Sequence, residues 1–115
     1  MSIIKITNIP TPQEISQLTQ EYPSYIKLVS DISKNILYGG SRLHADIEKM
    51  LLDQGSFQKD IWGGGIDIKI KKIECTAVAN IRPSMGNSSM EILDPQIRQE
   101  FIKIVKQYFP NYNEW

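Results

Sequence analysis

Apolar residues recur along this chain with two different periods, and each change of period marks the boundary of an element. Ile3, Ile4 and Ile6 open a short, β-branched strand over residues 3–7 that ends before Pro10. Thr11-Pro12-Gln13-Glu14 then reads as a helix start. The Thr11 hydroxyl caps, Pro12 fits a first position that needs no N–H, and Glu14 stands three residues past the cap. Ile15 and Leu18 give that helix an apolar stripe, and Tyr22-Pro23 ends it.

From Tyr25 the period is two, with Ile26, Leu28 and Ile32 facing one way and Lys27 and Asp31 the other, which predicts a strand. Ser33-Lys34-Asn35 is a turn in which Asn35 takes a positive φ, and Ile36-Leu37-Tyr38 returns as the second arm of a hairpin, broken by Gly39-Gly40. A second helix is expected from Ser41, its cap, with Leu43, Ile47, Met50 and Leu51 on one face and Gly55 at its end. Ile66, Ile68 and Ile70 alternate with Asp67, Lys69 and Lys71 as a half-exposed strand, and the apolar run from Cys75 to Ile81 follows as a more central one. Asp94 caps the last helix, Pro95 occupies its first turn, and Ile97, Phe101, Ile104, Val105 and Tyr108 line one side before Pro110.

This order, βαββαββα with antiparallel hairpins, describes an α+β domain of two layers, a mainly antiparallel sheet packed by helices. One domain is expected over residues 1–110, with residues 111–115 as a mobile C-terminal tail.

Composition narrows the function. The chain has 115 residues, and its 13 Lys and Arg balance 13 Asp and Glu. That neutrality argues against a protein held on duplex DNA by phosphate neutralisation. Lys69, Lys71 and Lys72 with Arg82 give a local basic stripe, offset by Asp67 and Glu74, so nucleic acid is not the expected partner. No segment reads as a signal peptide or membrane span, which places the protein in the cytoplasm. The single Cys75 has no partner for a disulfide or a metal pair and is read as a core thiol.

Three segments are candidates for chemistry. In the first, around Gly39-Gly40-Ser41, His44 and Glu48 lie four apart on one helix face, with Asp46 about 200° away from His44. Two ligands do not complete a metal site, so no metal or cofactor is assigned. The bland alternative is a packed His44 with solvated carboxylates. In the second, Trp62 precedes Gly63-Gly64-Gly65, a run read as a loop whose bare backbone a ligand can approach. No P-loop accompanies it.

The third, Asn80-Ile81-Arg82-Pro83-Ser84-Met85-Gly86-Asn87-Ser88-Ser89, is a polar loop between an apolar run and the final helix. Arg82 offers a planar fork suited to phosphate or carboxylate, while Ser84, Asn87 and Ser88 add short donors. The favoured reading is a binding module with an anion-binding loop over residues 80–89, taking a phosphate, nucleotide or carboxylate beside Trp62. The competing structural reading pairs Arg82 with an internal carboxylate, Asp46 or Asp60.

An enzyme reading uses His44 as general base or metal ligand, oriented by Asp46 or Asp60, for phosphoester hydrolysis. A third reading is a homo-oligomeric interaction protein using exposed strand edges and the aromatic segment from Tyr108 to Trp115.

Gly39-Gly40-Ser41-Arg42-Leu43-His44-Ala45-Asp46, Asp60-Ile61-Trp62-Gly63 and Asn80-Ile81-Arg82-Pro83-Ser84-Met85-Gly86-Asn87-Ser88-Ser89 occur in an order that resembles a family of short bacterial and archaeal proteins, frequent in cyanobacteria, catalogued as a domain of unknown function. The likeness spans nearly the whole chain and implies no activity, cofactor or catalytic residue.

Overall fold

A computed structural model describes residues 3–114. Six strands form one sheet: β1 (Ile4–Ile6), β2 (Tyr25–Asp31), β3 (Ile36–Gly39), β4 (Ile61–Asp67), β5 (Lys72–Glu74) and β6 (Asn113–Glu114), in the order β1-β3-β2-β4-β5-β6. All pairings are antiparallel except β5 with β6. Three α-helices accompany it, α1 (Pro12–Leu18), α2 (His44–Asp53) and α3 (Pro95–Tyr108).

The local signals formed as read. Thr11 and Glu14 make a reciprocal capping box on α1, and the Asp94 carboxylate accepts the backbone N–H groups of Gln96 and Ile97 at the start of α3. Asn35 turns the β2–β3 hairpin at φ 56°. β2 is the spine of the sheet, paired with β4 from Tyr25↔Asp67 to Asp31↔Ile61.

Because side chains alternate along a strand, the sheet has two apolar faces. Ile26, Leu28, Trp62 and Ile66 pack with Leu18 of α1 and with Phe101, Ile104 and Val105 of α3. Val29 and Ile61, of opposite parity, pack with Ile47 and Leu51 of α2. The α+β class and the mainly antiparallel sheet are as expected, but the helices cover both faces instead of gathering into one layer.

Five local expectations change. Gly63, Gly64 and Gly65 are not a loop; they lie in the middle of β4. A Cβ on Gly64 would stand 2.7 Å from Cε2 of the Phe101 ring, and one on Gly63 would stand 2.9 Å from the Ala77 Cβ and 3.1 Å from the His44 ring. Glycine is disfavoured in strands on propensity, and here the close approach of other elements requires it.

The Cys75–Ile81 run is not a strand. β5 stops at Glu74, Thr76 keeps one bridge to Glu91, and Val78–Asn80 form a 3-10 turn that leaves Val78 70% exposed. The alternation of Ile66, Ile68 and Ile70 likewise runs off the strand, since the Asp67 carboxylate turns the chain by accepting the Lys69 and Ile70 N–H groups.

α2 starts at His44, with Leu43 at the cap position, so Ser41 is not the cap. Its hydroxyl instead binds the Asp46 carboxylate at 3.0 Å and accepts the Leu43 N–H. Finally, the expected tail contributes β6, parallel to β5, with the Phe109 and Tyr112 rings edge to face at 5.6 Å. Trp115, which also belonged to that expectation, lies outside the described residues.

Among the described residues, no helix is long and apolar enough to cross a membrane.

Candidate functional site

The three candidate segments converge on one end of β4. The two groups Gly63 turns away from β2 find no strand there, because β5 pairs with β4 only as far as Gly65↔Glu74. The Asn80 side chain stands in for the missing strand. Its Oδ1 accepts the Gly63 N–H at 2.9 Å, and its Nδ2 donates to the Gly63 carbonyl at 2.8 Å and the Met90 carbonyl at 3.0 Å. Asn80 is wholly buried.

Asn87 repeats the device inside the loop. Its Nδ2 lies 2.8–2.9 Å from the carbonyls of Asn80, Ser89 and Glu91, and its Oδ1 accepts the Leu93 N–H at 2.9 Å. Two protons serve three acceptors, so one bond is shared. Between these residues the chain reverses at Gly86, whose φ of 77° suits glycine.

Arg82 points inward. Its Nε donates to the Ala79 carbonyl at 3.1 Å, one terminal nitrogen to the Gln58 carbonyl at 2.7 Å, and the other to Glu48 Oε2 at 3.1 Å. The guanidinium stacks 4.5 Å from the centre of the Trp62 ring, whose indole N–H is bound to the Lys59 carbonyl. Burial draws the Arg82 pKa down and Glu48 opposes it. The internal carboxylate is thus Glu48, not Asp46 or Asp60, because Glu48 faces the loop from the second turn of α2. An anion arriving at this loop would meet the exposed Ser84 and Ser88 hydroxyls, not the Arg82 fork.

His44 is buried at the start of α2, with Nε2 2.6 Å from the Gly64 carbonyl. The proton therefore sits on Nε2. Burial pushes its pKa down to about 4, so the ring is neutral at ordinary pH. Asp46 is engaged by Ser41 and Asp60 lies 3.8 Å from the Lys59 ammonium. Among the described residues neither hydrogen-bonds His44, so the acid–base arrangement that hydrolysis would use is not formed. Nor does any group of three His, Cys, Asp or Glu side chains among them offer a metal site.

His44, Trp62, Arg82 and Asn87 are therefore brought together as a buried polar framework, while Ser84 and Ser88 stay at the surface. Sequence reasoning named Glu48 only beside His44 and Asn80 only as the first residue of the loop, and so missed their places in this framework. It also missed Asp31, wholly buried at the end of β2. Asp31 accepts the Ser56 and Ser33 hydroxyls at 2.6 and 2.7 Å and the N–H groups of Ser33 and Lys34. Burial alone would raise its pKa, yet these bonds together hold it below the usual carboxylate value.

The outer surface above the framework carries exposed apolar side chains among polar ones such as Ser84, Ser88 and Glu91. Val78, Ile81, Met85, Met90 and Leu93 are between 42% and 70% exposed. A shallow groove of about 390 Å³ runs between Met85 and Gly86 of the loop and Pro95 and Ile97 of α3. Only Ile81 and Met85 of these five interrupt the segment 80–89 read as polar; Val78 belonged to the run read as a central strand, and Met90 and Leu93 lie beyond the loop.

A family model described as "Protein of unknown function (DUF5674)" matches residues 3–108. No curated protein and no solved structure matches the chain.

Proposed function

The chain belongs to the DUF5674 family, and for this member we propose the role of a cytoplasmic, homo-oligomeric binding module that works through the outer face of residues 78–93. The observation that carries this reading is the contrast between the two sides of one segment. Asn80, Arg82 and Asn87 hold the inner side with buried hydrogen bonds, and five large apolar side chains stand on the outer side.

Apolar side chains concentrated on one exposed segment mark an interaction surface more often than scattered ones do. Methionine among them suits a contact that must adapt its packing. A loop already fixed before association loses little further conformational freedom on docking, which leaves more of the buried apolar area as affinity.

A second copy is the partner that the charge favours. With 13 basic and 13 acidic residues, two chains approach without net repulsion, and a two-fold interface would use the same patch twice. Sedimentation equilibrium across a range of concentrations tests this. The expected result is a dimer of the 13.2 kDa chain that reverts to monomer in Val78→Asp, with an unchanged circular dichroism spectrum. A wild-type chain that stays monomeric at about 0.5 mM, above the Kd of even a weak specific dimer, would refute the reading.

A further inference from the structure

A second cleft, of about 280 Å³, opens where β5 ends. Glu74, Cys75 and Thr76 form one wall, Glu91 lies across the Thr76 bridge, and Arg98 reaches in from the first turns of α3. Its walls are unusually charged for so small a space, with one guanidinium and two carboxylates. The Arg98 side chain is half-buried, yet it makes no ion pair within 4.0 Å among the described residues.

The remaining groups leave that pattern open. Glu74 is engaged by the Tyr25 hydroxyl at 3.3 Å through Oε1, which leaves Oε2 for another donor. Burial pushes the Cys75 thiol up to about 11, so the floor of the cleft stays neutral. Thr76 adds a hydroxyl that can donate or accept.

We propose that this cleft binds a free α-amino acid, with its carboxylate on the Arg98 guanidinium and its ammonium between Glu74 and Glu91. The volume suits one small metabolite and falls below that of drug-sized pockets. A guanidinium meets a carboxylate through two parallel hydrogen bonds, and an ammonium offers three donors to the two carboxylates. The walls carry one more negative than positive charge, so a basic side chain on the ligand is favoured. The site needs no self-association, and of its lining only Glu91 falls within residues 78–93, so Val78→Asp should abolish a dimer while leaving amino-acid binding unchanged.

Isothermal titration of the full chain with L-lysine, glycine, acetate and cadaverine tests the assignment. L-lysine should bind tightest and glycine more weakly, while acetate and cadaverine, each lacking one of the two required charges, should give no saturable heat. Arg98→Gln should weaken L-lysine binding by about tenfold or more, the scale of one lost charge-assisted contact, with an unchanged circular dichroism spectrum. Glu91→Gln, at an exposed position where the side chain makes no hydrogen bond among the described residues, provides a second variant and should weaken it less. The proposal is overturned if no amino acid binds at about 10 mM, a concentration that fills even a millimolar site. It is equally overturned if cadaverine binds as well as L-lysine or if Arg98→Gln binds like the wild type.

Discussion

Replacing Asn80 by alanine probes the framework at its most constrained point. The side chain makes three hydrogen bonds, but their loss is unequal. The Met90 carbonyl also accepts the Ala77 N–H at 3.0 Å, so it keeps a partner. The Gly63 N–H and carbonyl lose the side chain that satisfies them, at a site where Asn80 is 0% exposed. An orphaned buried backbone group costs about 1–3 kcal/mol, so the two together cost about 2–6 kcal/mol. A domain of this size is stable by about 5–15 kcal/mol, so the variant loses a large fraction of that margin. At about 4 °C per kcal/mol, the melting temperature should fall by about 8–24 °C. Urea unfolding followed by tryptophan fluorescence measures the loss as a lower midpoint at an unchanged slope. Asn80→Asp supplies the control: it keeps an acceptor for Gly63 but sets a carboxylate against two carbonyl oxygens, and should be at least as destabilised at pH 7. A loss below about 1 kcal/mol, the net worth of one ordinary hydrogen bond, would show that Asn80 does not substitute for a strand.

Gly64→Ala should cost about 3 kcal/mol or more, because its Cβ meets the buried Phe101 ring at 2.7 Å and the Glu74 backbone, and neither can withdraw; a melting temperature within a few degrees of wild type would refute the close-approach explanation of the glycine run. His44 sets an acid-side dependence. Its pKa is 6.5 in the unfolded chain and about 4 in the fold, so between those values the unfolded chain binds a proton that the fold refuses. The contribution is complete above pH 6.5 and is lost as pH falls toward 4, by about 3 kcal/mol. Chemical denaturation at a series of pH values should show that loss in the wild type and a flatter profile in His44→Asn; parallel profiles would remove His44 as the cause.

The elements that were legible in the sequence are those specified by neighbours in the chain. Thr11-Pro12-Glu14, Asp94-Pro95 and Asn35 act within three residues of themselves, so their types and spacing suffice. Gly63 to Gly65 were misread because what forbids a Cβ there is contributed by Phe101, Ala77 and Tyr25, none of them adjacent. Val78 was misread because an apolar run signals burial only when a partner surface exists, and β5 ends before reaching it. At the candidate site the residue types that drew attention, His44, Trp62, Arg82 and Asn87, do share one locality. The direction of each was not legible: Arg82 turns inward because Glu48, 34 positions earlier, and the Gln58 carbonyl meet its fork.

That inward direction bears on why the loop is built as it is. His44, Asn80, Arg82 and Asn87 each bind backbone groups, and a side chain that does so must have the right length and donors, whatever its own reactivity. Fixing one residue's backbone costs about 1–2 kcal/mol, so ordering residues 78–93 costs about 15–30 kcal/mol. A loop ordinarily offsets such a cost by burying apolar side chains; here Ile92 does so, while Val78, Ile81, Met85, Met90 and Leu93 keep 42–70% of their surface exposed. The polar framework and the stacked Trp62 add to what Ile92 contributes, consistent with the concentration beneath this segment of residues rich in hydrogen-bonding groups. Their chemistry is used to hold one conformation of the outer surface. On the proposed reading, a partner at that surface gains the affinity that a flexible loop would lose to ordering, and the apolar side chains, rather than the buried Arg82 or His44, are where changes in sequence should alter binding without altering the fold.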